Sequence, residues 1–192
     1  MAPMAVRNCE PGELALLPAI EWSGDAMFAG IGIVFPPGPA TIEGAIAHGA
    51  DVLVAGEPGE PRAGFAAIIT LDGHPHLEQI SVRAGQGRRG IGSLLLDETI
   101  RRAGPGVTLI TYRDVPWNGP WYARRGFTEL PGDSWGPELR ARWRAEIDAG
   151  IHALGPRLVM RHETGPYGVS SLGGPLARPF SMPLYFLVAV LA

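Results

Sequence analysis

The sequence predicts a mixed α/β fold, in which a mostly antiparallel central sheet contains one parallel strand–helix–strand unit and is flanked by helices. Two observations predict it. Short apolar runs separated by tight turns form a meander over residues 51–82. An amphipathic stretch at 91–103 then separates the last meander strand from a buried-type strand at 107–112. A strand, a helix and a second strand in this order normally pair in parallel, which predicts a βαβ unit over 77–112.

The first quarter of the chain is predicted to supply one strand and two helices. After the turn at Pro11 and Gly12, apolar residues recur at helical spacing, as Leu14, Leu17 and Ile20. The elements predicted here are a strand at 5–8, a helix at 13–21, a Gly- and Pro-broken loop at 30–39, and a helix at 41–48 that Thr41 can cap.

The remaining elements follow the same reasoning. The helix at 91–103 has a broad apolar face and ends at Gly104-Pro105-Gly106. The other predicted elements are strands at 51–55, 63–71, 77–82 and 107–112, a helix at 121–125, a strand at 127–130, a helix at 138–148 and a strand at 157–161. Glycine and proline become dense from Glu163 onward, which predicts one domain at 1–162 and an irregular apolar tail at 163–192.

Composition narrows the function classes. The net charge is −3, which gives no general field for nucleic acid or an anionic membrane. The single cysteine, Cys9, excludes an internal disulfide and a zinc site of several thiolates. Residues 1–10 lack a signal-peptide pattern, and the apolar run at 182–192 is shorter than the ~20 residues of a membrane span. We therefore expect a cytoplasmic protein without a metal, and the Arg-, Gly- and Pro-rich composition suggests a bacterial source.

A loop rich in glycine and arginine, RAGQGRRGIG at 83–92, joins the last meander strand to the helix. A glycine-rich turn into a helix is an anion site, because free backbone N–H groups converge there and the helix dipole favours negative charge. Two interpretations are open. Gly85, Gly87 and Gly90 form the G-x-G-x-x-G of dinucleotide folds, whereas Gly90 and Gly92 end a different phosphate loop.

The dinucleotide interpretation has a strand before the loop, a helix after it, and Asp114 where a ribose-binding acid is expected. Two features count against it: the chain before residue 77 reads as an antiparallel meander, and no second βαβ half follows Asp114. An NAD(P)-binding oxidoreductase stays as the weaker alternative.

The second interpretation gains support from two further segments. Residues 88–96 (RRGIGSLLL) resemble the acetyl-CoA loop of the GNAT acetyltransferase superfamily, whose pattern is Arg/Gln-x-x-Gly-x-Gly/Ala. Residues 77–82 (LEQISV) resemble the family's fourth strand, and 117–127 (WNGPWYARRGF) its Asn…Tyr-x-x-x-Gly-Phe element. The segments stand in the family's order, and the resemblance extends over about 4–162. One position departs from the pattern, because Gly87 stands where the family has Arg or Gln.

The resemblance implies acetyl-CoA as cosubstrate and the GNAT fold. The pantetheine arm is expected to pair with the fourth strand, much like an added strand, and the pyrophosphate to lie over the loop. Arg88 or Arg89 is expected to compensate for the missing side chain at Gly87. The implied cofactor-binding residues are Ile80, Ser81, Val82, Gly87, Arg88, Arg89, Gly90, Ile91, Gly92, Ser93 and Asn118.

Acetyl transfer to an amine requires a base for the ammonium, a donor for the thioester oxygen and a proton for the leaving thiolate. Tyr122 matches the family's tyrosine and is the expected acid. Glu78, on the fourth strand, is the leading candidate for the base, acting through water, with Glu21, His74 and His76 as alternatives. The residues expected to bind the acceptor are Glu21, Trp22, Phe28 and Trp117.

These features predict direct transfer in a ternary complex to a primary amine of a small molecule or peptide. Cys9 is far in sequence from both motifs, which speaks against a covalent acetyl-cysteine. A non-catalytic acetyl-CoA sensor of the same fold is the other alternative. The resemblance also allows a homodimer, with the apolar tail at its interface.

Overall fold

The computed structural model describes residues 4–56 and 63–162. The predicted tail at 163–192, its suggested role at a dimer interface and most of the turn at 56–62 lie outside this part of the chain. The described strands are β1 (Val6–Asn8), β2 (Asp51–Ala55), β3 (Gly64–Leu71), β4 (His74–Val82), β5 (Thr108–Tyr112), β6 (Phe127–Glu129) and β7 (Arg157–His162). The helices are α1 (Leu17–Ala29), α2 (Thr41–Ala47), α3 (Ile91–Ala103), α4 (Gly119–Ala123) and α5 (Pro137–Asp148).

The strands in the described ranges form one sheet in the order β1-β2-β3-β4-β5-β7-β6. Strands β1 to β4 are the predicted antiparallel meander, with register pairs such as Leu53↔Ala66 and Ala66↔Ile80. The pairing of β4 with β5 is parallel, and α3 connects them. Strand β7 returns antiparallel between β5 and β6. The predicted fold class is therefore confirmed, including the βαβ unit, and the single parallel pair in this sheet differs from a doubly wound dinucleotide fold.

The two faces of the sheet carry different helices. Leu53 and Ala55 of β2 pack in a core cluster with Leu95 and Leu96 of α3. The alternate β2 residues, Val52 and Val54, pack against α1 and α2 in a second cluster. Helix α5 covers the opposite face from α3 through Leu139, which packs on Ile110 and Val159. Since successive strand residues point to opposite faces, the alternation along β2 produces this three-layer arrangement.

The first helix differs from its prediction. Residues 11–16 form a 3₁₀ turn, and α1 runs from Leu17 to Ala29, instead of a helix at 13–21. Pro18 lies in the first turn of α1, where its missing N–H is not needed. Gly24 is buried within the helix, and the Ser23 hydroxyl accepts a hydrogen bond from the Ala84 N–H at 3.0 Å. These tertiary contacts outweigh the low helix propensity of glycine, which sequence periodicity does not include.

The cap predicted for the second helix is also wrong. Thr41 is the first residue of α2 and Ala40 is its N-cap residue. The carboxylate of Glu21, from α1, accepts hydrogen bonds from the N–H groups of Thr41 at 2.7 Å and Ile42 at 3.0 Å. Free N–H groups at a helix start require an acceptor, and here it comes from 20 residues away.

Two smaller differences concern the site. His74 and His76 were expected to precede the fourth strand, but β4 begins at His74 and contains both. The helix expected at 121–125 lies at Gly119–Ala123, because the Asn118 carbonyl already accepts the N–H groups of Trp121 and Tyr122. In the described ranges no helix is long and apolar enough to cross a membrane. The same ranges contain no group of three or more His, Cys, Asp or Glu residues that could hold a metal ion.

Candidate active site

The sheet has an opening between β4 and β5. In the described part of the chain these strands pair only at His76↔Thr108, near the start of each. Strand β4 continues to Val82, and its other edge is fully paired with β3 down to Gly64↔Val82. The backbone groups of Glu78 to Val82 that face β5 are therefore left without a strand partner, which places Ile80, Ser81 and Val82 along the opening.

A β-bulge lies at the point where the opening begins. The β3–β4 register shifts between Ala67↔Gln79 and Ile68↔Leu77, so that Glu78 is the extra residue on β4. Leu77 and Ile80 both pack in the α3 cluster. Glu78 and Gln79 consequently share the opposite face, where α5 lies.

The loop at 83–92 turns the chain from β4 into α3. Gly85 and Gly90 have φ of 81° and 80°, and Arg88 adopts the left-handed region at 59°. Gly85 belongs to a turn closed by the bond from the Gln86 N–H to the Arg83 carbonyl at 2.9 Å. Gly90 is the N-cap of α3, which leaves the N–H groups of Ile91, Gly92 and Ser93 without helical acceptors. The loop therefore ends in a set of converging donors, while Gly87, Arg88 and Arg89 surround it.

Arg125, to which the sequence assigned no role, lies beside these donors. Its Nη2 donates to Ser93 Oγ at 2.6 Å, and its guanidinium lies 3.9 Å from the centre of the Trp121 ring. Partial burial lowers the pKa of Arg125, yet a guanidinium keeps its charge. A permanent cation thus stands at the first turn of α3. Arg125 stands at an unspecified position of the Asn…Tyr-x-x-x-Gly-Phe element, so the sequence pattern gave no signal for this contact.

Tyr122 is fully buried. Its ring packs on Trp121 and Phe127, with centroids 4.9 and 5.4 Å away. It belongs to the same core cluster as Ile80 and Val82 of β4. Its hydroxyl has no hydrogen-bond partner in the described residues, and burial raises its pKa. A buried hydroxyl without a partner is energetically costly, which is a reason to expect a ligand for it.

Asn118 and the start of α4 lie next to Tyr122, at the end of β5. The Asn118 side chain is buried and its Nδ2 donates to Thr111 Oγ1 of β5 at 2.9 Å. A Cβ added at Gly119 would collide with the Arg113 carbonyl, which makes glycine necessary there. Asn118 therefore holds the start of α4 against the end of β5.

Glu78, the predicted base, lies on the face of the sheet opposite α3. Glu78 is 4 % exposed, and its Oε1 lies 2.5 Å from Nη2 of Arg142 on α5. Its Oε2 has no hydrogen-bond partner in the described part and lies 3.8 Å from His76 Nε2. Burial raises the pKa of Glu78, and Arg142 opposes that rise. His76 is buried, which lowers its pKa to about 3, so that the imidazole is neutral.

The predicted acceptor residues form two adjoining groups. Glu21 and Trp22 line a cleft of about 160 Å³ together with Asp25, Phe35 and the prolines at 36, 37 and 39. Trp22 is 52 % exposed. Glu21 is buried, and its carboxylate accepts the hydrogen bonds from the start of α2. Burial raises the pKa of Glu21 to about 7 and that of Asp25 to about 6.

Phe28 and Trp117 belong to the second group. Phe28 is buried, with ring centroids 5.7 Å from Trp117, 5.9 Å from Tyr112 and 5.2 Å from Phe35. Phe35 also lines the acidic cleft and so connects the groups. The structure thus brings Phe28 and Trp117 together at the end of β5, and Phe35 connects them to Glu21 and Trp22, which lie earlier on α1.

Comparisons with known proteins agree with the fold. Residues 48–129 match the sequence model of the acetyltransferase (GNAT) domain. The fold is similar to that of a GNAT-family acetyltransferase from Staphylococcus aureus Mu50, with a TM-score of 0.62 and 17 % identity over 84 % of this chain and 100 % of that one. It is similar to the ribosomal-protein-S18-alanine N-acetyltransferase of Escherichia coli, with a TM-score of 0.56 and 15 % identity over 88 % and 100 % of the two chains.

A third similar structure is N-acetylglutamate synthase from Neisseria gonorrhoeae, complexed with coenzyme A and N-acetyl-glutamate. Its TM-score is 0.59 at 19 % identity, and the match covers 85 % of this chain but 36 % of the synthase, so this chain spans about a third of that protein's length. At these identities the structures establish the shared fold. Residues 48–129 thus match the GNAT acetyltransferase domain, and the described chain shares the fold of GNAT-family acetyltransferases.

Proposed function

We propose that the protein is an acetyl-CoA-dependent N-acetyltransferase that moves an acetyl group to a primary amine by direct transfer in a ternary complex. The observation that carries the proposal is the Tyr122 hydroxyl, which is buried beside β4 without a partner in the described residues. A phenol in that position is suited to donate a proton to a departing thiolate.

The residues around the loop fit a pyrophosphate. Backbone donors at Ile91, Gly92 and Ser93 converge at the start of α3, and Arg125 adds a fixed positive charge beside them. Gly87 stands where the family has Arg or Gln and so offers no side-chain donor. Arg125 supplies a side-chain donor in its place. The backbone groups of Ile80 and Val82, which alternate with those that bond to β3, are offered to the amides of the pantetheine arm, and Asn118 is held at the far side.

The proposed proton transfers involve two residues on opposite faces of the sheet. Glu78 takes the proton of the acceptor ammonium through a water molecule, and Tyr122 gives one to the thiolate. Acetyl-CoA supplies the thioester, whose carbonyl a backbone N–H near Ile80 polarises. Holding both reactants in the opening supplies much of the rate, because it removes the entropy cost of bringing them together.

The acceptor is proposed to be a cationic primary amine of a small molecule or peptide. Glu21 and Asp25 place two carboxyl groups beside the exposed Trp22 ring. An ammonium is attracted both by carboxylates and by the face of an indole. The similar structures include an enzyme named for a protein alanine and one complexed with N-acetyl-glutamate, and both of these names describe acylated amines.

The test is thiol release from acetyl-CoA in the presence of a panel of amines, among them amino acids, polyamines, aminoglycosides and peptides. We expect saturable turnover with at least one class of amine. Thermal unfolding with acetyl-CoA or NADH is the companion measurement, since a ligand at 100 times its Kd stabilises a protein by about 2.7 kcal/mol. Stabilisation by NADH alone would contradict the proposal and favour the dinucleotide alternative.

The contact between Glu78 and Arg142 favours a second candidate, a sensor that binds acetyl-CoA without turnover. A carboxylate held in a buried ion pair is also what a purely structural role requires. Stabilisation by acetyl-CoA without thiol release for any amine would support this candidate.

A further inference from the structure

Arg142 contacts Glu78 in an unusual setting. It comes from the middle of α5 and is 1 % exposed, although arginine is rarely buried to this degree. Its Nη2 lies 2.5 Å from Oε1 of Glu78, on the extra residue of the β4 bulge. The bulge turns Glu78 toward α5, where its carboxylate contacts the guanidinium of Arg142.

The two oxygens of Glu78 have different surroundings. Oε1 is held by Arg142, whereas Oε2 has no hydrogen-bond partner among the described residues. The nearest basic atom to Oε2 is His76 Nε2 at 3.8 Å, beyond hydrogen-bond range. His76 is itself fixed by the contact of its Nδ1 with Thr108 Oγ1 at 2.8 Å, across the one β4–β5 pair.

Other charged groups surround this site. Glu146 of α5 and His48, at the end of α2, act on the Glu78 carboxyl group through their charges. Glu146 is neutralised by Arg157 of β7, with both bonds at 3.0 Å, and lies 3.4 Å from His152 Nε2. Arg157 forms the bidentate pair with Glu146, and Arg142 forms the ion pair with Glu78.

We propose that Arg142 is a positioning residue for acetyl transfer, which holds one oxygen of Glu78 and leaves the other to receive the proton of the acceptor amine. The inference rests on the proposed function and names a residue that the family resemblance did not supply. One ammonium proton passes through water to Oε2, and the free amine attacks the thioester carbon. As the C–N bond forms and the C–S bond breaks, the electron pair of the C–S bond stays on sulfur, which takes the Tyr122 proton, and the second nitrogen proton passes to solvent. Solvent then returns the proton of Glu78 to Tyr122, so that one proton is released per turnover.

The consequence is a pH dependence with a defined sign. Burial raises the pKa of Glu78 and Arg142 lowers it, so that removal of Arg142 raises it further. Glu78 must be ionised to accept a proton, and the acid limb of the kcat/KM profile therefore moves to higher pH without Arg142. One nearby opposite charge changes a carboxyl pKa by about 1–3 units.

The experiment compares Arg142→Met and Arg142→Lys with Arg144→Met, an exposed arginine on the same helix. The profile of kcat/KM against pH is measured with the best amine found, and acetyl-CoA affinity is measured by calorimetry. For Arg142→Met we expect the acid limb to move upward by about 1–3 pH units with unchanged acetyl-CoA affinity. Arg142→Lys restores part of that displacement, and Arg144→Met superimposes on the wild type.

A merely structural Arg142 would lower the melting temperature and leave the acid limb in place, which overturns the proposal. If Arg142→Met does not fold, the double variant Glu78→Gln/Arg142→Met removes both charges together and is expected to fold with kcat lowered about 100-fold. A double variant as active as the wild type also overturns it. A wild type that releases no thiol with any amine contradicts the proposed function itself, and with it this role, whereas an active wild type with an unmoved limb contradicts this role alone.

Discussion

Individual side chains decide what the opening in the sheet can do. Tyr122 and Glu78 belong to the two opposite faces of the sheet, one packed in the α3 cluster and the other against α5. Each has one buried oxygen without a partner in the described residues. An acid and a base on opposite sides of a bound thioester would not exchange protons with each other directly, which keeps each available for its own reactant.

Tyr122→Phe tests the proposed role of the Tyr122 hydroxyl as the general acid. The variant removes one oxygen from a buried ring whose packing on Trp121 and Phe127 is otherwise kept. Loss of a general acid lowers rates by about 10²–10⁴-fold, so we expect kcat to fall at least 100-fold. Acetyl-CoA affinity by calorimetry should stay unchanged. Unchanged turnover would remove Tyr122 from the acid role.

Arg125→Met tests the proposed phosphate contact, with Arg124→Met as the control because Arg124 is the exposed neighbour. A hydrogen bond to a charged group contributes about 1.5–3 kcal/mol, and we therefore expect the KM for acetyl-CoA to rise at least tenfold. S-acetylpantetheine lacks the pyrophosphate, so its KM should not change. Equal effects of the two variants on acetyl-CoA would argue against a specific role of Arg125.

Candidate site residues could be selected from the sequence where the segment had a recognisable pattern. The loop glycines, Asn118 and Tyr122 were selected because they stand in two spaced motifs, and their roles stay predictions. Arg142 and Asp25 carry no such signal, since their importance arises only when α5 and α1 pack on the sheet. Glu21 was singled out as an acceptor contact, and the structure additionally gives its carboxylate a structural task at α2.

At the scale of elements, helices in this protein are fixed by carboxylates from distant parts of the chain. Glu21 caps α2 from α1, and Asp72, in the β3–β4 turn, accepts the N–H groups of Glu138 at 2.9 Å and Leu139 at 3.0 Å at the start of α5. A Cβ at Gly136 would collide with the Asp72 carboxylate, which explains the glycine there. Helix α5 carries Arg142, so the Asp72 cap also fixes the residue that contacts Glu78.

Asp72→Gly tests that cap. Asp72 has φ of 52°, and glycine removes the carboxylate without adding strain in this left-handed conformation. We expect the free energy of unfolding to fall by about 1–2 kcal/mol, the usual value of an N-cap contact. Asp72→Asn keeps one acceptor and should lose less. Equal stability of Asp72→Gly and the wild type in urea unfolding would show that the cap contributes nothing.

Glu21→Gln tests how burial of the Glu21 carboxyl group affects the free energy of unfolding. Burial raises the Glu21 pKa to about 7 from its ordinary 4.5, so the stability from this group is complete below pH 4.5 and lost as pH rises to about 7. The stability of the wild type relative to Glu21→Gln should therefore fall over that range, by up to about 3 kcal/mol at about 1.4 kcal/mol per pKa unit. The exposed Glu43→Gln is the control at the same helix end. A wild-type advantage that grows with pH would mean that the α2 N–H groups outweigh burial.

The elements themselves were largely predictable, and their ends less so. Alternation gave the meander and periodicity gave α3 with its observed bounds, Ile91–Ala103. The start and end of α1 and the cap of α2 were missed because Gly24 and Thr41 depend on contacts with residues far along the chain. Local patterns contain no information on such partners.

At the scale of the whole molecule, the sheet consists of two parts, β1–β4 and β5–β7–β6. Among the described residues, the two parts are connected by one residue pair of the β4–β5 ladder, by the Glu78–Arg142 ion pair and by an apolar cluster that contains Ile80, Leu109 and Met160. The order of the strands could be predicted only as far as the meander and the βαβ unit. The insertion of β7 between β5 and β6 required the structure, because no sequence signal marks which edge a returning strand takes.

The single β4–β5 residue pair has a consequence for amide hydrogen exchange. Without a ligand, the N–H groups of β4 that face the opening exchange through local solvent access, while those that bond to β3 exchange only when the meander opens. A molecule seated in the opening would protect the first set. Exchange rates that alternate along Ile80, Ser81 and Val82 in the free protein, and become uniformly slow with acetyl-CoA, would show that the ligand pairs with the free edge of β4 as an added strand would.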